Sequence, residues 1–479
     1  MSHTKTIGLI LGPLIMGALL LIPPFPAFTP LSMTALALTA LMACWWVSEA
    51  IPIAATSLLP ALLAPLLGLL TLHEALDAYA HPVIYLLVGG ALVARAVQNT
   101  QLHRYFALTL LAKSRPSLPH IVLMFMVMTA LLSMVISNTA ATALMLPIAL
   151  YVIQRLQSNA HHQPFAKALI LGLAYAASIG GTATLIGTPP NALTAAYLAD
   201  HKGIDIGFAQ WLVIGMPLAT IMLPCAWVSL TRLTYPVPTA SSDTSLQSLT
   251  RALTNERHTL GPFTKAQRSV FVVFLAMVVL WMIRPILNTY PALTHVSDAA
   301  IALLAALSLF VLSHIAHRHD TPPLTKEDIK QLPWDVLLLF GGGLCLAAVM
   351  AKSGLVTSLA TSFEGLHMIP LIILVLAITL ITLFLTELNS NTATIATFLP
   401  LLTALAAASQ NDVLTLVLPA TFAASCAFML PVATPPNAVA YASNVINIED
   451  MMRAGFILNI IAAIIITLLT TTIATSLKL

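Results

Sequence analysis

Two short polar strings interrupt an otherwise apolar chain, and each occurs twice. Residues 137–147 read SNTAATALMLP and residues 390–400 read SNTATIATFLP, an offset of 253 positions that also pairs Ser133 with Thr386 one helical turn earlier. GTPPNA at 187–192 returns as ATPPNA at 433–438, and LLVGG at 86–90 returns as LLFGG at 338–342. Ser and Asn are favoured at helix N-caps. A helix that starts at Ser137-Asn138-Thr139, or at Ser390-Asn391-Thr392, presents unpaired backbone N–H groups and the positive end of its dipole. That is an anion site without a cationic side chain, to which the Ser and Thr hydroxyls and the Asn amides add donors. Two such tips facing each other suit an anion charged at both ends.

The proline pairs supply the opposite polarity. Pro189-Pro190 and Pro435-Pro436 cannot donate backbone hydrogen bonds and push the preceding residue out of helical geometry. Their helices are therefore expected to unwind at 187–191 and 433–437, freeing the carbonyls of Gly187, Thr188, Ala433 and Thr434. Free carbonyls beside Ser, Thr and Asn oxygens make a site for a small cation. One cation is expected near Ser133, Ser137, Asn138 and Gly187, a second near Thr386, Asn391 and Ala433. Ser133–Ser137 and Thr386–Ser390 are i, i+4 pairs on one helix face. Neither motif contains Lys or Arg, so co-bound Na⁺ would balance a bound dianion, which couples the two ligands. The plainer reading, a helix kink and a small-residue packing seam, does not require Asn twice at equivalent places. Glu387 has two open readings: a structural acid at a rim or beside a polar neighbour, or a modulator of ion binding. A proton-coupled mechanism would lean on it, although only one copy of the repeat carries it.

The elements that must position these residues are membrane helices. The chain has 479 residues, 59% apolar and only 8% charged, against about 25% charged in an ordinary soluble domain; its mean hydropathy is +0.94. That excludes a soluble globular protein, a disordered chain and a nucleic-acid binder, and predicts an all-α polytopic membrane protein. The net charge of +3 argues for no anionic partner, and the 31 prolines suggest broken spans. Spans are expected near 6–24 (a retained first span, not a cleaved signal), 31–48, 50–71, 81–112, 165–200, 207–232, 268–290, 297–316, 334–362, 413–446 and 452–477, eleven in all. Two further stretches, 119–154 and 368–408, carry their polar cluster at mid-length with proline ten residues later. They are read as re-entrant helical hairpins.

Basic residues collect in short cytoplasmic loops. With the N-terminus inside and both hairpins returning to their side of entry, fifteen of the 20 Lys and Arg residues fall inside, Lys5, Lys167, Lys326 and Arg453 among them. Only Lys202 and Lys478 fall outside; Arg95, Arg284 and Lys352 sit at or near span ends. A single crossing at either hairpin would blur this bias. The expected organisation is a first span (1–30), a repeat over 31–233, a polar cytoplasmic linker over 234–264 and a repeat over 265–479. An odd number of crossings separates the copies, so they insert in opposite orientation, an architecture common among secondary transporters.

Other residues are read more plainly. Cys44, Cys225, Cys345 and Cys426 lie in apolar runs as fillers, and His314, His317 and His319 as a solvated loop. Trp45-Trp46 reads as an interfacial anchor, Asp335 as an N-cap, and Arg95 and Lys352 as snorkelling or paired. Gly89-Gly90 and Gly341–Gly343 allow close helix packing. No Walker-type sequence exists, and no His, acid and nucleophile set converges within the spans, which speaks against an enzyme.

The paired Ser-Asn-Thr motifs, GGTATLIGTPPNA at 180–192, CAFMLPVATPPNA at 426–438 and WWVSEAIP at 45–52 together resemble the divalent anion–sodium symporter family, the sodium-coupled di- and tricarboxylate carriers. The resemblance covers essentially the whole chain and is nearest to bacterial sodium–dicarboxylate symporters. It implies eleven spans, two re-entrant hairpins, a homodimer and an elevator-like movement of transport domains against a scaffold in the cytoplasmic membrane. It implies substrate carboxylates held by Ser137, Asn138, Thr139, Ser390, Asn391 and Thr392, with Thr188-Pro189 and Thr434-Pro435 of the unwound loops lining the same site. Sodium sites carry over to Ser133, Ser137, Asn138 and Gly187, and to Thr386, Asn391 and Ala433. Sodium-independent exchangers of the family have a basic residue in place of sodium, and neither motif has one beside it. The expected activity is import of succinate, malate or fumarate with Na⁺; a citrate or sulfate carrier and a cation-independent exchanger or conduit are the alternatives.

Overall fold

The computed structural model describes residues 3–111, 117–156, 163–238, 254–255, 257–315, 322–363 and 368–476. Most of the linker expected over 234–264 lies outside them, as do Lys113, Arg115, Arg251, His317, Arg318, His319 and Lys478. Among the described residues every regular element is helical. Nine helical stretches are long and apolar enough to cross a membrane, and six shorter apolar helices accompany them. The periphery is apolar: Ile7, Ile10 and Leu14, or Leu304, Leu307 and Val311, are all more than half exposed. The inverse holds for Gln163–Thr182, whose most apolar window is 94% buried and which therefore runs through the centre.

Local chemistry sets the helix ends. Thr29 and Thr264 form capping boxes ahead of Pro30–Ser48 and Lys265–Leu287, which satisfies first-turn N–H groups. Two expected spans turn out to be split. The span 81–112 is Pro82–Asn99 followed by Leu102–Leu111, and 334–362 is Trp334–Lys352 followed by Leu355–Ser362. Gln101 (φ 56°) and Gly354 (φ 74°) stand at the joints, and a left-handed residue cannot continue a right-handed helix. The expected span 50–71 is likewise two short helices, Ile53–Thr56 and Leu59–Leu66.

The two polar-centred stretches are helical hairpins. Leu118–Ser133 packs against Asn138–Leu156, and Leu371–Thr386 against Asn391–Ser409. Two broken helices thread between them: Gln163–Thr182 resumes at Pro189–Lys202, and Val413–Ala424 resumes at Pro435–Tyr441. Each broken helix begins against its own hairpin and ends against the other one. Thr194 meets Thr421 at 2.7 Å, Tyr197 donates to Thr403 at 2.9 Å, and the Tyr175 and Phe428 rings lie 5.0 Å apart. The remaining helices flank this body, with Pro82–Asn99 on Asp298–Ile315 and Trp334–Lys352 over Ile53–Asp77.

Ion pairs between helices join residues at the same end of the bundle. Lys5–Glu49 (3.3 Å) and Lys167–Asp450 (2.7 Å) close one end. Lys352–Glu74 (2.6 Å), His81–Asp200 (3.2 Å) and the Arg284 pairs with Asp205 (3.3 Å) and Asp298 (3.1 Å) close the other. Lys352 thus pairs rather than snorkels.

The central helix approaches its hairpin backbone to backbone. A Cβ on Gly180 would collide with the Ala130 carbonyl, Cα and C. Neither side can yield without moving a helix, and overpacking of this kind costs about 3 kcal/mol. Gly180→Val is expected to lower the thermal unfolding midpoint of the detergent-solubilised protein by several degrees; an unchanged midpoint would contradict this packing.

Candidate functional site

Each hairpin reverses where the Ser-Asn-Thr motif begins its second arm. Ser137 accepts the Ala140 N–H at 3.3 Å and Ser390 the Ala393 N–H at 3.5 Å. Both serines therefore act as N-caps, leaving the other first-turn N–H groups pointing out of the tip. The residue behind each tip is bonded the same way in both copies. Ser133 Oγ lies 2.6 Å from Asn138 Oδ1 and 2.7 Å from the Ala177 carbonyl. Thr386 Oγ1 lies 2.6 Å from Asn391 Oδ1 and 3.0 Å from the Ala424 carbonyl. Ser133 and Thr386 are fully buried.

The broken helices part somewhat earlier than expected. Their gaps are 183–188 and 425–434, and Pro189 and Pro435 begin the next helices instead of lying in the unwound stretch. Proline's fixed φ suits the first helical position, where no N–H partner is available anyway. Asn191 and Asn437, at the third position, hold the gaps together. The Asn191 amide donates to the carbonyls of Gly181 (3.1 Å), Thr182 (3.3 Å) and Thr184 (2.8 Å). The Asn437 amide donates to Ala427 (3.2 Å) and Leu430 (3.0 Å). Both side chains are fully buried. In the sequence the repeated TPPN pattern flagged these asparagines, but not their role as staples.

Glu387 is the structural acid of its two readings. It is 3% exposed. Its carboxylate accepts the backbone N–H groups of Phe428 (2.8 Å), Met429 (3.0 Å) and Leu430 (3.1 Å), and the Asn459 amide at 2.7 Å. These donors belong to the second gap, whose backbone has no helical partners there. In the first copy the matching position is Met134, and the polarity is exchanged: Thr184 Oγ1 donates 2.6 Å to the Met134 carbonyl.

One cavity of about 470 Å³ receives both tips and both gaps. It is lined by Ser137, Asn138, Thr139, Gly187, Thr188 and Pro189, and by Ser390, Asn391, Thr392, Ala433, Thr434 and Pro435. Among the described residues no Lys, Arg or His lines it. Glu49, Pro333, Asp335 and Val336 of the flanking helices complete the wall, so the cavity leads to the end of the bundle that carries the Lys5–Glu49 pair. Asp335 makes no capping hydrogen bond; Pro333 holds the N-cap position of its helix. Its place in the wall was not visible in the sequence, because only the fold brings it to the motifs.

Oxygen atoms gather around the Asn138 side chain. Its amide oxygen lies beside the Ser133 hydroxyl at 2.6 Å, the Gly187 carbonyl at 3.1 Å and the Ala177 carbonyl at 3.3 Å. Turned over, the amide nitrogen would donate to the same atoms; as it stands, a cation would gather four oxygens. Thr386 Oγ1, Asn391 Oδ1 and the Ala424 carbonyl repeat three of these four oxygens. The Ala177 and Ala424 carbonyls were not singled out from the sequence, and Ala433 reaches this region only as part of the cavity wall. Among the described residues no group of His, Cys, Asp and Glu could hold a multivalent metal.

Comparison with known proteins places the chain. The family described as the sodium:sulfate symporter transmembrane region matches residues 3–478. The sodium-dependent dicarboxylate transporter SdcS of Staphylococcus aureus strain USA300 is 39% identical over 476 residues, covering 98% of this chain and 91% of that protein. SdcS of strain MRSA252 matches equally. Among solved structures, the YdaH transporter of Alcanivorax borkumensis shares the fold, with a TM-score of 0.57 at 15% identity over 88% of this chain and 89% of that one.

A Cβ on Gly181 would collide with the Asn138 amide. Gly181→Ala is expected to weaken sodium-dependent ligand binding at least tenfold with little loss of thermal stability, since a flexible side chain yields rather than backbone. Glu387→Gln removes charged hydrogen bonds worth about 2 kcal/mol each. It is expected to lower the thermal midpoint while the response to a proton gradient stays that of the native protein; a proton-coupling role would change that response.

Proposed function

This chain belongs to the divalent anion–sodium symporter family, and from that premise we propose that it imports a C4-dicarboxylate such as succinate, malate or fumarate together with Na⁺. The membrane is the cytoplasmic membrane of a bacterium. The observation that carries the reading is the double tip: two Ser-Asn-Thr turns with the same internal bonds line one cavity that has no cationic side chain.

Each carboxylate of the dianion meets one tip, accepting from first-turn N–H groups and from Ser137, Asn138 and Thr139 or Ser390, Asn391 and Thr392. Thr188 and Thr434 line the cavity between them. At least two Na⁺ ions bind behind the tips, one at Ser133, Ser137, Asn138 and Gly187, the other at Thr386, Asn391 and Ala433. Each ion fixes its Asn amide with the oxygen turned inward and the nitrogen toward the anion. An ion about 4 Å from a carboxylate contributes about 4 kcal/mol at an effective dielectric constant of 20. Without the ions, partial charges alone must offset desolvation of two carboxylates. Coupling follows: sodium prepares the site, and the anion strengthens sodium binding by the same factor.

The basic-residue bias supports a cytoplasmic N-terminus and cavity mouth, which makes the cavity an inward-facing one. The hairpins and broken helices pack as one body, and movement of that body against the flanking helices, in each protomer of a homodimer, would carry the site across. Retention of a sulfate alternative rests on the family's description, which names sulfate.

Reconstituted in liposomes, the protein is expected to take up labelled succinate only with an inward sodium gradient. Uptake indifferent to sodium would reject symport, and stronger competition by sulfate or citrate than by malate would redirect the substrate. Asn138→Ala and Asn391→Ala are each expected to reduce uptake at least a hundredfold while insertion and elution stay native; near-normal uptake by both would falsify the site.

A further inference from the structure

The WWVSEAIP segment and Asp335 have no part in the binding scheme above, yet both reach the cavity. Among the described residues Glu49 and Asp335 are the only charged side chains in its wall, and both are acidic in a cavity proposed to receive an anion. Neither comes from the hairpins or broken helices. Glu49 caps Pro30–Ser48 in the left-handed region (φ 45°), where glycine or asparagine is favoured. Asp335 lies in the first turn of Trp334–Lys352, exposed and without a hydrogen bond or ion pair among the described residues. The corner that carries Glu49 also touches a tip: with its amide turned to donate, Asn389 reaches the Val47 carbonyl at 3.3 Å. Lys5 partly offsets Glu49 at 3.3 Å, but both side chains are about half exposed, at 43% and 53%.

We propose that Glu49 and Asp335 form a charge filter at the mouth of the cavity that admits dianions and disfavours trianions. This rests on the dicarboxylate reading above and deepens it. A sphere of about 470 Å³ is roughly 10 Å across, close to one Debye length at physiological ionic strength. Both carboxylates therefore act on any ligand at the tips. Their repulsion grows with each ligand charge, while the two tips and two cation sites are matched to two carboxylates. A third carboxylate has no tip to meet and faces the acidic wall. At this separation each acid costs about twofold in affinity per added ligand charge, so the pair discriminates about fourfold.

The test is competition against sodium-dependent binding of labelled succinate to the purified native protein and its variants in detergent. The competitors are unlabelled succinate and citrate, at a pH where citrate is fully ionised. In Glu49→Gln/Asp335→Asn the ratio of citrate to succinate inhibition constants is expected to fall about fourfold. Lys5→Gln, which unmasks Glu49, is expected to raise it about twofold, and Asp335→Glu to leave it unchanged. Should the double variant fail to fold, choline chloride added to the native protein at fixed sodium must lower the ratio, because salt screens the filter. A ratio that stays within twofold in the double variant, or is flat with added salt, overturns the filter while leaving the dicarboxylate site intact. Absence of sodium-dependent succinate binding to the native protein overturns both.

Discussion

A doubly charged anion inside a membrane must be held by something other than water, and among the described residues none of the usual cationic side chains stands around the cavity. The constraint explains most of the architecture. Helix starts have to be brought to the middle of the bundle, which requires hairpins that turn back and helices that break. Both devices are costly to place in an apolar surrounding, because they strand backbone groups. The fold answers by pairing them, so that each hairpin lies against a broken helix and its tip is stitched to that helix, ahead of the gap, through Ser133 or Thr386.

The two copies solve the gap problem with different side chains. The first gap is short, and the Asn191 amide reaches three of its carbonyls while Thr184 donates to the hairpin backbone. The second is longer, and Asn437 reaches two carbonyls. Its surplus is of N–H groups, and a carboxylate is the acceptor that takes three of them at once. Glu387 supplies it, held in turn by Asn459. An acid in a membrane helix invites a proton-relay interpretation; here every direction around it is filled by a donor that needs it, which makes it a structural staple.

Charge at the periphery follows a second logic. The ion pairs at the two ends of the bundle join helices that are distant in sequence, such as Lys352 with Glu74 and Lys167 with Asp450. Two acids, Glu49 and Asp335, escape that pattern in part or entirely and face the cavity instead. They lie on the flanking helices, so their field is set by how the central body sits against its surroundings.

Much of this was legible in the residues. Apolar run lengths disclosed the membrane helices, and the repeated Ser-Asn-Thr and Thr-Pro-Pro-Asn strings disclosed the hairpins, the breaks and the twelve wall positions of the cavity that they contribute, because N-cap and proline effects act over a few neighbouring residues. Gly354 did not betray the joint at its position, nor Gln101 a joint at all, since a left-handed turn depends on what each flanking helix packs against. Likewise the prolines marked the breaks but misplaced them by several residues, because hydrogen bonds to Asn191 and Asn437 decide where each helix resumes. Only the tertiary structure decided that the Ala177 and Ala424 carbonyls meet Ser133 and Thr386 behind the tips, that Glu387 serves a gap 41 residues away, and that Glu49 and Asp335 share a wall. Those are contacts between remote segments, and the chain's local chemistry carries no record of which remote segment will arrive.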